Sequence, residues 1–240
     1  MSLRRSSGDH WVMDRGDFGA LRAARAQLVS YGVRLLDDGL AVGSAGNLSV
    51  RVGDIVAITP SGAGYRDMRP GDICLVTLAG TPAADDTGRL DDGGPSSETP
   101  MHLAVYAATG AAAVVHTHSP EVIALSASRP ELPAIHYAIT ALGGPVRVAP
   151  YVRFGSAALA AAAAGALDGR TAVILRNHGA LSYGRDLAEA YDRALLLEWL
   201  ARTYRLALSY GEPATLSAAE LAEVTAEMRR RRYGERRGGS

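Results

Sequence analysis

The amino-acid sequence predicts an α/β protein folded as one domain. Short apolar segments typical of buried strands are interspersed with longer segments in which apolar residues recur at helical spacing. The early strand segments are joined by tight turns, which favours an antiparallel meander. The chain has 240 residues, enough to bury a substantial core. Because it contains no long linker, we expect one large domain rather than two small ones.

The first half of the chain is predicted to contain one helix and three strands. Residues 1–16 are polar and are expected to form a flexible segment. Apolar residues at helical spacing over 17–38 predict an amphipathic helix that ends at Gly39. The alternating or apolar segments that follow are predicted strands at 48–52, 55–59 and 73–78. Residues 79–95 are rich in Gly, Asp, Thr and Pro, and predict a surface loop.

Helices and strands alternate in the second half. Predicted strands cover 114–118, 134–139, 146–149 and 171–176. One helix is predicted to begin near Ser97 and another directly after Phe154-Gly155-Ser156. Two further helices are predicted over 119–128 and 187–209. Ser217 and Glu220 form a capping box that predicts a last helix. The end of the chain, 229–240, is basic and is expected to be a solvated tail.

Three histidines lie at the ends of two apolar strands. His116 and His118 belong to the first strand, and residues i and i+2 of a strand point to the same face. His178 follows the second strand, over 171–176. Three histidines and an open position are typical of catalytic zinc, whereas structural zinc usually has four protein ligands. The pattern therefore favours a catalytic metal centre over three unrelated core histidines.

Composition excludes several classes of protein. Lys+Arg and Asp+Glu are equal at 25 each, so neither a nucleic-acid partner nor a membrane surface is expected. The single cysteine, Cys74, excludes an intramolecular disulfide framework, and it is interpreted as a small buried hydrophobic residue. No apolar run is long enough to span a membrane, and no apolar segment follows the basic N-terminus. We expect a cytoplasmic protein.

Glu98 lies in the first turn of the helix that leads to the His116 strand. One interpretation is that its charge only favours the positive end of the helix. The other is an acid/base group that faces the metal, and the three histidines favour it. His102, one turn later, is interpreted as a packed or hydrogen-bonded structural histidine.

Two segments are candidates for binding an oxyanion such as phosphate. The loop at 43–49 is rich in small residues and contains Asn47, so that free amides can surround an anion. An ordinary tight turn is the alternative there. Ser96 and Ser97 stand at the start of a helix, where unpaired amides favour negative charge.

Together these motifs resemble the class II aldolase/adducin family. In order, over about 18–210, they are Gly46-Asn47-Leu48-Ser49, Thr59-Pro60-Ser61-Gly62, Pro95-Ser96-Ser97-Glu98, His116-Thr117-His118, Ile135-His136-Tyr137, Gly143-Gly144 and Asn177-His178-Gly179. The resemblance implies a three-layer α/β/α domain over 17–228 around a central, mostly antiparallel sheet. It also implies a C4 homotetramer with active sites at the subunit interfaces.

The resemblance assigns roles to individual residues. One Zn²⁺ per subunit is bound by His116, His118 and His178. Glu98 is the catalytic acid/base and a fourth metal ligand in the absence of substrate. Tyr137 is a proton donor that reaches a neighbouring subunit's site, whereas Tyr233 in the tail has no assured counterpart. The substrate phosphate is bound by Gly46, Asn47, Ser61, Gly62, Ser96 and Ser97.

The implied reaction is cleavage of a ketose 1-phosphate, similar to L-fuculose 1-phosphate, into dihydroxyacetone phosphate and an aldehyde through a metal-stabilised enediolate. The chain contains no lysine, so a Schiff-base aldolase is excluded and a Lewis-acidic metal is the remaining electrophile. Cobalt, iron and manganese also suit imidazole ligands. A sugar-phosphate 4-epimerase, a dehydratase or a decarboxylase on the same scaffold stays an alternative, as does a non-catalytic adducin-like scaffold.

Overall fold

The computed structural model describes residues 4–5, 11–12, 15–84 and 94–231. Its strands are β1 (Arg4–Arg5), β2 (Trp11–Val12), β3 (Asn47–Val52), β4 (Ile55–Ile58), β5 (Cys74–Thr77), β6 (Ala113–Thr117), β7 (Glu131–Leu132), β8 (Val146–Ala149), β9 (Ala172–Leu175) and β10 (Gly179–Gly184). Its α-helices are α1 (Arg15–Asp37), α2 (Thr99–Ala108), α3 (Pro120–Ser128), α4 (Ala157–Ala166), α5 (Leu187–Leu208) and α6 (Ala218–Arg230). Short 3₁₀ helices cover Pro70–Asp72 and Tyr137–Leu142.

Eight strands form the central sheet, in the order β5-β4-β3-β6-β10-β9-β8-β7. Every neighbouring pair is antiparallel except β8 and β9, which run parallel. The predicted α/β class and mostly antiparallel sheet are thus confirmed. Strand β6 lies near the middle, between β3 and β10, so the end that carries His116 is surrounded by other strands.

Helices cover both faces of this sheet. Because side chains alternate across a strand, neighbouring residues of β6 pack on opposite faces. Val115 packs in a core cluster with residues of α1 and α5, whereas Val114 packs with residues of α2 and α4. Helix α3 packs with the second half of α5 on the same face as α1. The result is the three-layer α/β/α arrangement that the family resemblance implied.

Two elements differ from the sequence prediction. The segment 134–139 is not a strand, because Nδ1 of His136 accepts a hydrogen bond from the amide of Ala138 and caps the 3₁₀ helix Tyr137–Leu142. Strand β10 was not predicted, although it is central to the sheet. Helix α2 begins at Thr99, two residues after the predicted start, with Glu98 at its N-cap position.

Other predictions are confirmed or lie outside the described residues. Cys74 is buried in β5 as expected, and the capping box of Ser217 and Glu220 starts α6. Most of the predicted flexible segment 1–16, the central part of the loop at 79–95, and the tail from residue 232, including Tyr233, lie outside the described residues. None of the described helices is long and apolar enough to cross a membrane.

Candidate metal centre

The three predicted histidines meet at the end of β6. His116 is fully buried on the sheet face that packs against α2, and His118 follows two residues later. Their Nε2 atoms lie 3.0 Å apart. The His178 ring comes from the turn between β9 and β10, and its centroid is 4.8 Å from that of His116 and 4.9 Å from that of His118.

Glycines allow the backbone to approach this closely. A Cβ atom on Gly179 would lie 1.9 Å from the carbonyl oxygen of Thr117, so only glycine permits β10 to pass β6 at this point. Gly46 has a φ of +76°, and a Cβ atom there would lie 2.7 Å from the carbonyl oxygen of His116. Asn177, directly before His178, adopts a φ of 53°, a left-handed conformation that asparagine tolerates better than most residues.

Glu98 joins the histidines from the start of α2. Its Oε2 lies 3.0 Å from Nε2 of His116, and its Oε1 lies 3.2 Å from Nε2 of His178. The candidate ligand atoms of the four residues all lie within 4.8 Å of one another. In the part of the chain that the structure describes, Oε1 is buried without a hydrogen-bond partner. A bound cation would satisfy this oxygen.

The electrostatic environment favours the forms of these groups that bind metal. Burial opposes ionisation of Glu98, but His116, together with His178 and Asn47, outweighs burial and holds the pKa of the carboxyl well below its usual range. Burial, with the neighbouring His116 and His178, lowers the pKa of His118 to about 3. Metal ligands must be deprotonated, so an ionised carboxylate beside a neutral imidazole is suited to a cation.

A backbone hydrogen bond sets the orientation of the His116 ring. Nδ1 of His116 lies 2.8 Å from the carbonyl oxygen of Ala180 and donates its proton there. In a neutral imidazole this leaves the lone pair of Nε2 directed at the cluster, as in many metal-ligating histidines. Three imidazole nitrogens and one carboxylate oxygen make a donor set that fits zinc or a similar divalent cation.

A cavity of about 360 Å³ opens in front of this cluster. Glu98, His118 and His178 line it, whereas His116 lies behind them. All of the residues predicted to hold the phosphate also line the cavity: Gly46, Asn47, Ser61, Gly62, Ser96 and Ser97. Their hydroxyl and amide groups are neutral donors, and no arginine is among the described lining residues.

Sequence reasoning missed three residues of the wall. Tyr151, Val152 and Phe154 belong to the segment between β8 and α4 and line the cavity. Tyr151 and Phe154 are 63% and 61% exposed. They lie in irregular structure without a periodic pattern, so the sequence offered no signal for them.

The structure does not bring Tyr137 to this cavity within one chain. Its side chain is 45% exposed on the 3₁₀ helix. It borders a separate surface groove formed with α6, which is also lined by Glu223, Val224, Glu227, Met228 and Arg231. A role for Tyr137 therefore requires a second subunit.

His102 is a buried, hydrogen-bonded histidine, as predicted. Its Nε2 lies 2.6 Å from Oδ1 of Asn47 and its Nδ1 lies 2.7 Å from Oγ of Ser49. Asn47 in turn donates from Nδ2 to Oε2 of Glu98 over 2.9 Å. The sequence did not reveal that this structural histidine is connected to the candidate acid/base.

Comparisons with known proteins agree with this geometry. A family model described as class II aldolase and adducin N-terminal domain matches residues 26–205. The 5-deoxy-D-ribulose 1-phosphate aldolase of Bacillus thuringiensis serovar kurstaki is 36% identical over 207 residues, which are 85% of this chain and 94% of that protein. The L-fuculose phosphate aldolase of Escherichia coli is 36% identical over 202 residues, 82% of this chain and 90% of that protein. A solved L-fuculose 1-phosphate aldolase superposes with a TM-score of 0.81 at 33% identity, covering 92% of this chain and 100% of its own.

Proposed function

The chain belongs to the class II aldolase and adducin family and is an aldolase, a carbon–carbon lyase, and from this premise we propose that it cleaves a ketose 1-phosphate into dihydroxyacetone phosphate and an aldehyde. The observation that carries the proposal is the cluster of Glu98 with three histidines at the base of a cavity. The hydroxyls and amides of the predicted phosphate loops line the same cavity.

We propose zinc as the bound metal, because three imidazoles and a carboxylate are typical of its catalytic sites. When bound, the cation supplies a Lewis acid that withdraws electron density from the substrate carbonyl. His116, His118 and His178 hold it, and Glu98 is a fourth ligand until substrate enters. The buried Oε1 of Glu98, which lacks a hydrogen-bond partner among the described residues, supports this assignment.

Glu98 is the proposed acid/base. In the cleavage direction its carboxylate accepts the proton of the hydroxyl on the carbon that becomes the aldehyde. The electron pair of the breaking carbon–carbon bond passes to the other fragment, which becomes the enediolate of dihydroxyacetone phosphate. Protonation of the enediolate carbon that carried the broken bond completes the reaction. The proton is returned by Glu98 or supplied by Tyr137 of a neighbouring subunit. The Glu98 carboxyl, whose pKa lies below its usual range, is ionised, and this is the form that can accept the proton.

The phosphate loops are proposed to orient the substrate. The cavity is lined by Gly46, Asn47, Ser61, Gly62, Ser96 and Ser97. These residues offer neutral donors, which can bind phosphate through hydrogen bonds. Binding remote from the reacting bond fixes the carbonyl near the cluster. We propose a homotetramer with interfacial active sites, in which the exposed Tyr137 of one subunit reaches the cavity of a neighbouring subunit. A cytoplasmic location stays a prediction from the sequence.

A substrate panel tests the proposal. Zinc-loaded protein is incubated with L-fuculose 1-phosphate, 5-deoxyribulose 1-phosphate and related ketose 1-phosphates, and released dihydroxyacetone phosphate is reduced by a coupled dehydrogenase. We expect release that requires metal and is lost in Glu98→Gln. Formation of a sugar-phosphate epimer without release would instead identify a 4-epimerase. The absence of any turnover across the panel would contradict the proposal.

A further inference from the structure

Four buried polar side chains form a continuous hydrogen-bonded chain that ends at Glu98. Two of them, Asn47 and Ser49, alternate along β3 and therefore face the same side of the sheet. The other two, His102 and Tyr106, lie one turn apart on α2 and face that side of β3. Tyr106 contacts Oγ of Ser49 over 2.7 Å, and the chain continues through His102 to Asn47. All four side chains are at most 5% exposed.

The direction of each hydrogen bond follows from the end at Glu98. The ionised carboxylate only accepts, so Nδ2 of Asn47 donates to it and Oδ1 faces His102. Because Oδ1 also only accepts, Nε2 of His102 must carry the ring proton. Nδ1 then accepts from the hydroxyl of Ser49, which accepts from Tyr106. In this series of four hydrogen bonds, each donor is therefore directed towards the end at Glu98.

We propose that His102 is a positioning residue for the proposed aldolase, which holds the amide of Asn47 in the orientation that donates to Oε2 of Glu98. The two carboxylate oxygens are thereby distinguished. Oε2 accepts a hydrogen bond from Asn47, whereas Oε1 lies 3.2 Å from Nε2 of His178 and has no hydrogen-bond partner among the described residues. If Nε2 lacked its proton, its lone pair would repel Oδ1 of Asn47. Rotating the amide to relieve that repulsion would turn Oδ1 towards the carboxylate, where again two acceptors repel.

The position of Asn47 connects His102 directly to the cluster of Glu98 and three histidines. It is paired with His116 in the register of β3 and β6, so it lies beside the central metal ligand as well as the acid/base. Asn47 also lines the cavity, and its Nδ2 has a second proton beyond the one donated to Glu98. An amide of fixed orientation therefore keeps one N–H on Glu98 and leaves a second N–H donor beside the cavity that Asn47 lines.

Substitutions at both ends of the Asn47–His102 contact test the proposal. His102→Leu removes the donor, whereas His102→Gln places an amide N–H near the position of Nε2. Zinc affinity is measured by competition with a chromophoric chelator, and kcat and KM are measured on the substrate of the panel. Losing a hydrogen-bond partner of a metal ligand typically costs about 10–100-fold in metal affinity or activity. We expect a loss of this size for Asn47→Ala, a loss in the same direction for His102→Leu, and recovery to within roughly 3-fold of wild type for His102→Gln.

A double-mutant cycle separates positioning from general packing. If His102 acts through Asn47, the double variant Asn47→Ala/His102→Leu loses no more zinc affinity and no more kcat than Asn47→Ala alone. Independent losses that multiply would overturn the proposal, as would wild-type zinc affinity and kcat in a folded His102→Leu protein. Circular dichroism and thermal unfolding verify the fold of each variant.

A measurement on the unmodified protein keeps the proposal testable even if His102→Leu does not fold. ¹⁵N NMR of the histidine rings reports which nitrogen carries the proton, and we expect the Nε2–H form for His102 at pH 7. An Nδ1–H or charged ring would overturn the proposal. Zinc affinity and the ring tautomer require no substrate, so a failure of the substrate panel leaves them unaffected and refutes only the proposed function.

Discussion

Nε2 of His116 lies 3.0 Å from Nε2 of His118, a separation close to that of two ligands on one cation. Two nitrogens bonded at about 2.0–2.1 Å to a tetrahedral zinc are about 3.3 Å apart. The hydrogen bond from His116 to the backbone of Ala180 and the position of β6 between two strands hold this geometry in place. The protein thus needs little rearrangement to bind a cation.

Removing the metal is expected to abolish activity and lower the thermal stability of the protein. A ligand that binds only the folded state stabilises it by about 2.7 kcal/mol at 100 times its dissociation constant. Treatment with a chelator should therefore lower the melting temperature in scanning fluorimetry, and added zinc should restore both the melting temperature and turnover.

Single histidine variants make the metal prediction specific. His118→Ala removes a candidate ligand, and we expect zinc to leave its melting temperature unchanged. His136→Gln removes an imidazole outside the cluster and should respond to zinc as the wild type does. A zinc-induced stabilisation of His118→Ala equal to that of wild type would show that the metal binds elsewhere.

Gly179→Ala is expected to damage the site through the backbone. Its Cβ would lie 1.9 Å from the carbonyl oxygen of Thr117, so β10 and β6 must move apart next to His118 and His178. Overpacking of this kind costs about 1–3 kcal/mol, which a urea titration measures, and zinc affinity should fall with it.

Gly165→Ala is the matched control for that substitution. Gly165 lies in α4, and a Cβ atom there would meet nothing within 4 Å apart from the neighbouring backbone of its own helix. Alanine at such a site stabilises by about 0.4–1 kcal/mol. If Gly179→Ala were as stable as Gly165→Ala and bound zinc normally, the close approach of the strands would not matter for the site.

Local patterns in the sequence were sufficient to predict the residues that form the cluster of Glu98 and three histidines. His116, His118 and His178 each lie at or just after the end of a strongly apolar strand, and the i, i+2 spacing of the first pair already predicts that both lie on one face. The position of Glu98 at the start of α2 is likewise a local feature. These residues could be predicted because nearby sequence determines where a strand ends and a helix begins.

Features that depend on pairing between distant segments could not be predicted. Strand β10 is bounded by Gly179 and Gly184 and contains few residues of high strand propensity, so only its pairing with β6 and β9 identifies it. The contact between Asn47 and His102 depends on how β3 packs against α2, and the two residues lie 55 positions apart in the sequence. Tyr151 and Phe154 are brought to the cavity by a loop whose path no short pattern specifies.

Ser97→Ala is expected to weaken substrate binding with little change in kcat. Ser97 lines the cavity among the proposed phosphate-binding residues, and a hydrogen bond to a charged group contributes about 1.5–3 kcal/mol. Since about 1.4 kcal/mol is tenfold, KM for the ketose 1-phosphate should rise by roughly 10–100-fold.

The same ketose without its phosphate provides the decisive comparison. Ser97→Ala should leave kcat/KM for that compound unchanged, because the lost hydroxyl has no phosphate to contact. Ser30→Ala, on an exposed position of α1, should behave as wild type with both compounds. An equal loss with and without the phosphate would place Ser97 at the reacting end of the substrate instead.

The metal-free protein is expected to lose stability as the pH falls below about 6.5, where an exposed histidine takes up a proton. Burial lowers the pKa of His102 to about 3 and that of His118 to about 3, so both stay neutral in the folded state over this range. The unfolded chain then binds more protons than the folded chain, and the free energy of unfolding decreases by up to about 1.4 kcal/mol per pH unit for each such group. Urea titrations in the presence of a chelator, between pH 7 and pH 4, measure this slope.

His102→Gln tests how much of this dependence of the unfolding free energy on pH comes from His102. Glutamine does not titrate, so the dependence of unfolding free energy on pH should be shallower by up to one group's contribution. Tyr106→Phe removes a hydroxyl from the same chain of hydrogen bonds without removing a histidine; it should lower stability by about 1 kcal/mol at every pH and leave the slope as in wild type. If His102→Gln and wild type gave parallel curves, His102 would take up its proton in the folded protein over the same pH range as in the unfolded chain. The neutral Nε2–H ring that orients Asn47 would then not persist below about pH 6.5.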